Sequence, residues 1–262
     1  MNREPDAGGP GHLTPDSLED RHMSESIPTV YLARHGETAW TISRQHTGRT
    51  DLPLTARGED DAWSLHGRLR GLAFDRVFVS PLRRARQTSL LAGFGDEAVT
   101  VADLTEWDYG EYEGLTTAEI RRERPGWSLF RHGCPGGESV AAVGARADRV
   151  IGRLRGMPGR ILVFGHGQFF GVLAARWVRL PPGEARRFVL RSASLSILGY
   201  EHGPEDPAIR LWNDDGNAVP VRPGGTQKAR TSFVHDRPRF AGRARSCRTG
   251  PSSSTASTRP LE

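Results

Sequence analysis

The sequence predicts an α/β fold of three layers, in which helices cover both faces of a mostly parallel central sheet. Short runs of β-branched and aliphatic residues alternate with amphipathic segments of helical length. Two of these runs, at 30–33 and 161–164, are continuously apolar, which is typical of buried parallel strands. The chain has 262 residues, enough for one sizeable domain with a large core.

Each element follows from a local pattern. The first strand leads into a polar loop, after which Thr55 can cap a helix. Proline is tolerated in the first helical turn, so Ser80–Pro81 can open the next helix directly after a strand. In chain order we predict strand 28–34, helix 55–70, strand 76–80, helix 80–91, helix 116–124, helix 138–155, strand 161–165, helix 168–179, strand 193–200 and a short strand at 209–212.

Charge is distributed unevenly along the chain. The net charge is +5, but residues 218–262 carry a surplus of +7 and residues 1–26 a balance of −4, so the middle is close to neutral. Both ends lack hydrophobic periodicity and cannot bury enough apolar surface to offset the entropy of ordering. We therefore predict a disordered N-terminal tail (1–26), a folded domain (27–217) and a basic low-complexity C-terminal tail (218–262).

Several protein classes are disfavoured by what the chain contains. The two cysteines, Cys134 and Cys247, make no disulfide framework, and no apolar stretch reaches transmembrane length. The N-terminus lacks the apolar segment of a signal peptide, so we expect a cytoplasmic protein without a membrane partner. No residue spacing suggests a metal site, and we expect no cofactor. Binding of a nucleic acid or another polyanion by the Arg-rich tail is an alternative of another class, which we do not favour.

Two histidine motifs stand at predicted strand ends. Arg34-His35-Gly36 follows the first strand, and Gly165-His166-Gly167 follows the strand at 161–165. Ligands bind at the carboxyl ends of strands in open α/β sheets. If the strands are neighbours, two imidazoles and one guanidinium meet in a pocket suited to an anionic phosphate, with histidine as nucleophile. For the first tripeptide alone, an inert hydrogen-bonded histidine in a turn is the alternative.

A third segment, Ser80–Thr88, begins where a strand ends and a helix starts. A helix N-terminus favours anions. Arg83, Arg84 and Arg86 cannot all face one way, because neighbouring helical positions diverge by roughly 100°. One of these arginines is expected to face the pocket while the others are solvated. A merely solvated basic helix face is the alternative for this segment by itself.

The two histidine motifs, the segment Ser80–Thr88 and a fourth segment, Leu104–Glu106, occur in a defined order along the chain. In these segments residues 28–213 resemble the histidine phosphatase superfamily, which includes the cofactor-dependent phosphoglycerate mutases. Four ordered matches are a specific signal. The resemblance implies a phosphoglycerate mutase-like fold and a phosphorylated histidine. The residues it implies are His35 as nucleophile, Arg34 and Arg84 on the phosphoryl group, His166 across the pocket, and Ser80 close to the same group.

The resemblance also selects an acid. Glu106 matches the family's proton donor, whereas the other acids of the segment 106–114 are then structural or exposed. The family's phosphate- or substrate-binding loop matches Thr41, Gln45, Thr47 and Gly48. Thr41 stands where many members carry asparagine, and a hydroxyl reaches less far than an amide.

The resemblance implies a metal-independent phosphatase that acts on small phosphomonoesters through a phosphohistidine at His35. Segments 106–114 and 130–139 are similar to actinobacterial acid phosphatases and to the fungal sedoheptulose-1,7-bisphosphatase, which favours sugar phosphates. The expected partner is thus a small phosphorylated metabolite; the oligomeric state is left open, with a homodimer among the alternatives. The alternative function is a 2,3-bisphosphoglycerate-dependent phosphoglycerate mutase. Family mutases typically carry a longer segment than the sixty positions between Glu106 and His166.

Overall fold

The computed structural model describes residues 27–216. The predicted disordered tails lie outside the described residues, as does Cys247. The strands within 27–216 are β1 (Pro28–Arg34), β2 (Arg76–Val79), β3 (Val99–Thr100), β4 (Gly159–Gly165), β5 (Leu195–Tyr200) and β6 (Pro207–Asp214). These six strands form one sheet in the order β3-β2-β4-β1-β5-β6.

Helices connect and cover these strands. The α-helices of the described part are α1 (Ala39–Ser43), α2 (Ala56–Leu69), α3 (Arg83–Leu91), α4 (Thr117–Glu123), α5 (Leu129–His132), α6 (Val140–Arg155) and α7 (Gly167–Trp177). Short 3₁₀ helices lie at Ala102–Leu104, Gly110–Tyr112 and Pro182–Arg187. None of the helices in this part of the chain is long and apolar enough to cross a membrane.

The sheet is mostly parallel, which confirms the predicted fold class. Strands β3, β2, β4 and β1 pair in parallel, whereas β5 and β6 add antiparallel pairings at one edge. The register of β1 with β4 sets Arg34 opposite Gly165. Because parallel strands end at the same edge, the two histidine motifs lie side by side.

Apolar side chains fill a core on each face of the sheet. Val30 and Leu32 of β1 point into the core formed with α6 and α7, whereas Ala33 points into the core formed with α2 and α3. Successive side chains of a strand alternate between faces, so a strand covered on both sides reads as a continuous apolar run. The central strands are therefore buried, and polar chemistry is confined to their ends.

Several element boundaries differ from the prediction. The predicted polar loop after β1 contains helix α1, because Thr38 and Thr41 form a capping box. Helix α3 begins at Arg83 and not at Ser80, since the Ser80 hydroxyl accepts the Leu82 amide hydrogen and the chain is still extended there. Helix α6 begins at Val140, where Ser139 is the N-cap.

Two further boundaries are set by residues in the left-handed region of backbone conformation. Arg179 has φ +63°, so the helix predicted to reach it ends earlier, at Trp177. Ala193 has φ +51°, and the strand predicted from there begins at Leu195. Regular α-helices and strands have negative φ, so each element ends or begins next to these residues. The predicted strands at 161–165 and 209–212 are each longer, beginning at Gly159 and Pro207.

Candidate active site

A cavity of about 350 Å³ opens at the carboxyl ends of β1 and β4. Arg34, His35 and Glu106 form its inner wall, together with the first turn of α7. Its outer wall mixes aromatic, aliphatic and basic side chains. Those outer residues are Trp40, Arg44, Phe130, Arg186, Phe188, Val189 and Leu190.

His35 directly follows β1 and is nearly inaccessible, with 4% of its surface exposed. Its backbone amide donates to the Gly165 carbonyl (3.0 Å), which ties it to β4. Its Nδ1 lies 2.7 Å from the Gly36 carbonyl, so Nδ1 carries the ring hydrogen and Nε2 keeps its lone pair. Burial, followed by the charges of Arg84 and Arg34, lowers the pKa of His35 well below 6.5. The imidazole is therefore neutral and able to act as a nucleophile.

His166 is the fully buried N-cap residue of α7. Its ring centroid lies 5.2 Å from that of His35, and its Nε2 lies 2.7 Å from the Ser80 hydroxyl. That hydroxyl oxygen accepts the Leu82 amide hydrogen, and Nε2 is the only acceptor that its own hydrogen has within the described residues, so the hydroxyl donates to Nε2. These partners assign the ring hydrogen of His166 to Nδ1. Burial, then Arg84, lowers the pKa of His166 well below 6.5.

Arg84 is the arginine of its helix that turns inward. It is fully buried, while Arg83 and Arg86 are exposed. Its Nη1 donates to the Thr50 carbonyl (3.0 Å), and its Nη2 donates to the carbonyls of Thr47 (3.1 Å) and Gly48 (2.9 Å). The backbone of the 47–50 loop thus holds the guanidinium from behind.

Arg34 is fixed in a similar way from the other side of the site. Its Nη1 donates to the Leu190 carbonyl. The first residue of α7 is a glycine, and a Cβ there would lie 3.0 Å from Arg34 Nε. The absence of that side chain leaves room for the guanidinium next to the α7 N-terminus.

Three buried nitrogens at the site have no hydrogen-bond partner among the described residues: Arg34 Nε, Arg84 Nε and His166 Nδ1. A fourth such nitrogen among residues 27–216, Arg155 Nε, does not belong to the site. The central carbon of its guanidinium lies 5.0 Å from the centroid of the Trp177 ring. Buried polar groups are almost always satisfied, so three unpaired donors at one site require an explanation. Both arginines act electrostatically on both histidines. The set is suited to an anion with several acceptor oxygens.

Glu106 lines the cavity and is 7% exposed. Its Oε1 accepts hydrogen bonds from the backbone amides of Trp107 and Phe169, both at 2.8 Å. Its Oε2 accepts one from the Gln168 amide at 3.1 Å. The carboxyl group is therefore held at the N-terminus of α7, the helix that His166 caps.

The neighbouring acids have structural partners or are exposed. Glu113 Oε1 accepts the amide hydrogens of Gly48 (2.7 Å) and Thr50 (3.0 Å), so it braces the loop that holds Arg84. Asp108 Oδ2 pairs with Arg49 Nε at 2.8 Å. Glu111 is exposed.

The structure brings only part of the predicted loop set to the cavity. Thr41, Gln45 and Thr47 line it. The Thr41 hydroxyl, however, donates to the Thr38 carbonyl (2.8 Å) and accepts its amide hydrogen (2.9 Å). Gln45 Nε2 donates to the Gly114 carbonyl (2.7 Å). Three predicted residues, Ser80, Arg84 and His166, are fully buried, and Gly48 is a buried member of the 47–50 loop.

Sequence reasoning missed two residues of this region. Tyr109 lines the cavity and stacks on His46 with 4.6 Å between ring centroids. Burial, followed by the charge of Glu106, raises the pKa of Tyr109 well above 10, so its hydroxyl stays a donor. The second is Arg146, which lies behind Glu106 and donates to its backbone carbonyl. The segment around Tyr109 was recognisable as a motif, but nothing in it ranked the tyrosine. No group of three or more His, Cys, Asp or Glu within 27–216 is arranged to hold a metal ion.

Comparison with known proteins places this geometry in a family. Residues 30–215 match the model of the histidine phosphatase superfamily, branch 1. The chain is 46% identical over 185 residues to an acid phosphatase of Mycobacterium tuberculosis, covering 69% of this chain and 90% of that protein. It is 36% identical over 191 residues to sedoheptulose 1,7-bisphosphatase of Saccharomyces cerevisiae, covering 60% and 70%.

A curated mutase and a solved structure are also similar to this chain. A probable phosphoglycerate mutase of Klebsiella pneumoniae is 33% identical over 185 residues, covering 67% of this chain and 86% of that protein. A solved structure of a Mycobacterium tuberculosis open reading frame superposes with a TM-score of 0.67 at 40% identity, covering 72% of this chain and 98% of that one. The chain belongs to the histidine phosphatase superfamily, branch 1.

Proposed function

We propose that this protein is a metal-independent phosphatase that hydrolyses small phosphomonoesters through a phosphohistidine at His35. The observation that carries the proposal is the set of three unpaired buried donors, on Arg34, Arg84 and His166, beside a neutral histidine whose Nε2 is free to attack. A phosphoryl group has three non-bridging oxygens that can accept from these donors.

In the first step, Nε2 of His35 attacks phosphorus in line as the bond from phosphorus to the leaving oxygen breaks. Glu106, as a carboxylic acid, gives its proton to that oxygen, and the alcohol departs. Charge on the equatorial oxygens is stabilised by Arg34, Arg84 and the Nδ1 hydrogen of His166. Because these donors are already in place, little reorganisation accompanies the reaction.

In the second step, Glu106 is a carboxylate and takes a proton from a water molecule. The resulting hydroxide attacks the phosphohistidine, the bond from Nε2 to phosphorus breaks, and inorganic phosphate leaves. His35 is again neutral and Glu106 is again protonated, so the cycle closes. The hydrogen bond from Nδ1 of His35 to the Gly36 carbonyl keeps the same nitrogen exposed in both steps.

The cavity supports a small polar leaving group, with sugar phosphates favoured. Its volume of about 350 Å³ leaves space beyond a phosphate, at the small end of typical ligand sites. Trp40, Phe130 and Phe188 offer apolar faces, and Arg44 and Gln168 offer donors for hydroxyl groups. The similarity to a sugar bisphosphatase supports the same substrate class.

A phosphoglycerate mutase is the second candidate, favoured by the similarity to a probable mutase. It would use the same pocket residues and pass the phosphoryl group to a second substrate hydroxyl and not to water. A coupled assay for conversion of 3- to 2-phosphoglycerate, with bisphosphoglycerate present, separates the two. Interconversion faster than hydrolysis would favour the mutase.

The proposed function is tested with a panel of phosphorylated metabolites assayed in EDTA. The wild type should hydrolyse several of them, and His35→Ala should reduce turnover by about 10⁴-fold or more, as expected for loss of a covalent nucleophile. Rapid quenching should trap an acid-labile, base-stable phosphoryl group that mass spectrometry locates on His35. His202→Ala, at an exposed position, is the matched control. Undiminished hydrolysis by His35→Ala, or a label on another residue, would refute the mechanism.

A further inference from the structure

Arg146 lies on α6 behind the cavity and is 7% exposed. All five of its N–H donors are used. Nε and Nη2 donate to the two carboxylate oxygens of Glu138, at 2.8 and 2.7 Å. The remaining hydrogens go to the carbonyls of Asp103 (2.9 Å), Thr105 (2.7 Å) and Glu106 (3.3 Å). A guanidinium can make at most this number of bonds.

The groups bound by Arg146 and Glu138 lie on both sides of Glu106, the proposed proton donor, along the sequence. Arg146 holds the backbone up to and including Glu106. Glu138 holds the two residues that follow, because its Oε2 accepts the Asp108 amide hydrogen (3.0 Å) and its backbone carbonyl accepts the hydrogen of the Trp107 indole side chain (3.0 Å). The segment that carries the carboxyl group is thus fixed on both sides by one ion pair.

The same guanidinium also contacts the other support of the carboxyl group. Its central carbon lies 4.3 Å from the centroid of the Phe169 ring, a cation–π contact. The Phe169 amide is one of the donors to Glu106 Oε1. Arg146 therefore touches both the backbone of Glu106 and the residue that orients its side chain, yet it does not line the cavity.

We propose that Arg146, paired with Glu138, is the positioning residue for the proton donor Glu106, an inference that rests on the proposed phosphatase activity. Proton transfer in the transition state requires the carboxyl group within hydrogen-bond reach of the leaving oxygen, and a displacement of about 1 Å can cost on the order of 10²-fold in rate. Arg146→Lys keeps the charge but loses the planar fork, since an ammonium has three donors at one point.

The test compares two phosphate esters that differ in how much they need the acid. An alkyl ester such as glycerol 3-phosphate needs protonation of its leaving oxygen, whereas 2,4-dinitrophenyl phosphate releases a stable anion. We use kcat/KM, which reports steps up to departure of the alcohol and excludes hydrolysis of the phosphohistidine. Arg146→Lys should lower kcat/KM for the alkyl ester by roughly 10- to 100-fold and for the dinitrophenyl ester by less than about threefold.

A double-mutant cycle establishes that Arg146 acts through Glu106. Glu106→Gln should show the same substrate pattern with a larger loss. Adding Arg146→Lys to Glu106→Gln should cause no further loss on the alkyl ester, because the proton that Arg146 positions is gone. Arg149→Lys is the matched control: it lies on the same helix and bonds to the Asp103 side chain, but it is exposed and does not reach Glu106. It should leave both substrates unchanged.

Activity on the dinitrophenyl ester also reports that a variant is folded. If Arg146→Lys does not fold, Glu138→Gln provides the second variant, and the same selective loss is expected. Equal losses on both esters, or additive losses in the double mutant, would overturn the assignment while leaving the phosphatase mechanism intact. Failure of the wild type to hydrolyse either ester would instead overturn the proposed function.

Discussion

The two histidines at the strand ends, His35 and His166, have different roles because one ring nitrogen of each has a different hydrogen-bond partner. His35 bonds a carbonyl through Nδ1, so its Nε2 presents a lone pair. His166 bonds the Ser80 hydroxyl through Nε2, so its Nδ1 presents a hydrogen. A nucleophile and an electrostatic donor are thus obtained from the same residue type, because the tautomer of a neutral imidazole follows its hydrogen bonds.

The first prediction concerns Ser80. Ser80→Ala removes the only side-chain hydrogen-bond partner of His166 within the described residues, so the ring hydrogen is no longer held at Nδ1. We expect kcat/KM to fall about tenfold, less than the loss of a whole transition-state donor. Unlike Arg146→Lys, this variant should affect alkyl and dinitrophenyl esters equally, since both need charge stabilisation.

The control for Ser80 is another buried serine on the adjoining helix. Ser89→Ala removes a hydroxyl that bonds the Phe94 carbonyl (3.4 Å), away from the cavity. Steady-state kinetics of this variant should match the wild type. A Ser80→Ala enzyme with unchanged kcat/KM would show that the tautomer of His166 is set by other means.

The second prediction concerns Glu113. Glu113→Ala removes two charge-assisted hydrogen bonds to the 47–50 loop, and that loop holds Arg84 by three carbonyls. We expect weaker phosphate binding, seen as an increase in KM of about tenfold. One such hydrogen bond contributes about 1.5–3 kcal/mol, and relaxation of the loop recovers part of that free energy. Glu111→Ala is the matched control: it removes a nearby glutamate that is exposed, and it should leave KM unchanged. Equal KM values for both variants would contradict the bracing role.

At the scale of elements, the loop after β1 and the first turn of α2 touch backbone to backbone. A Cβ on Gly58 would lie 2.1 Å from the Glu37 carbonyl oxygen, and one on Gly36 would lie 2.2 Å from the Gly58 carbonyl oxygen. Both positions therefore need glycine, because neither neighbour is a side chain that could move aside. This close approach sets the position of the chain just after His35.

The third prediction uses two glycines of the same helix. Alanine in a helix interior normally stabilises by about 0.5–1 kcal/mol relative to glycine. Gly67→Ala should show this gain, since its added Cβ has no atom within 4 Å other than its chain neighbours and the adjacent backbone of its own helix. Gly58→Ala should instead lower the free energy of unfolding by about 1–3 kcal/mol, the usual cost of overpacking. Urea unfolding measures both, and a stabilising Gly58→Ala would contradict the contact.

At the scale of the whole molecule, neutral histidines that are buried (His35, His166) or half-buried (His46) make stability depend on pH. Burial lowers the pKa of His46 to about 4, and the pKa values of His35 and His166 lie well below 6.5. Between pH 6.5 and the folded pKa values, the unfolded chain binds protons that the folded chain does not. The free energy of unfolding must therefore fall as the pH decreases through this window.

The fourth prediction follows from that sign. Each of these histidines should add up to about 1.4 kcal/mol per pH unit to the slope between pH 6.5 and 5. Urea unfolding at a series of pH values measures the slope. His46→Asn should reduce it, whereas His202→Asn, at an exposed position, should not. A slope unaffected by His46→Asn would show that this histidine is not buried in the neutral form.

The fifth prediction concerns the basic tail. The residues proposed for catalysis and both apolar cores lie within 27–216. A variant that ends at residue 217 keeps all of these residues, so its kcat/KM should stay within about twofold of the wild-type value. Loss of turnover on this deletion would place the tail in the catalytic unit.

The sequence by itself determined the alternation of strands and helices and the two histidines at strand ends. These features are local: apolar periodicity and the residues that flank it occur within one short segment. The resemblance to a known family then selected Glu106 from four nearby acids and Arg84 from three arginines, which composition and spacing had left open. Boundaries were less predictable where a cap or a positive φ ended an element, as at Thr38 and Arg179.

Only the tertiary structure decided how the site is held. The contacts of Arg146 with Glu106, of Glu113 with Gly48 and of Ser80 with His166 join residues 40, 65 and 86 positions apart. Such contacts leave no periodic signal in the chain, because they arise from packing between separate elements. For the same reason the Thr41 hydroxyl, predicted at the phosphate, is engaged with Thr38 once α1 forms. The chemistry is thus read from short motifs, whereas its geometry is set by long-range hydrogen bonds.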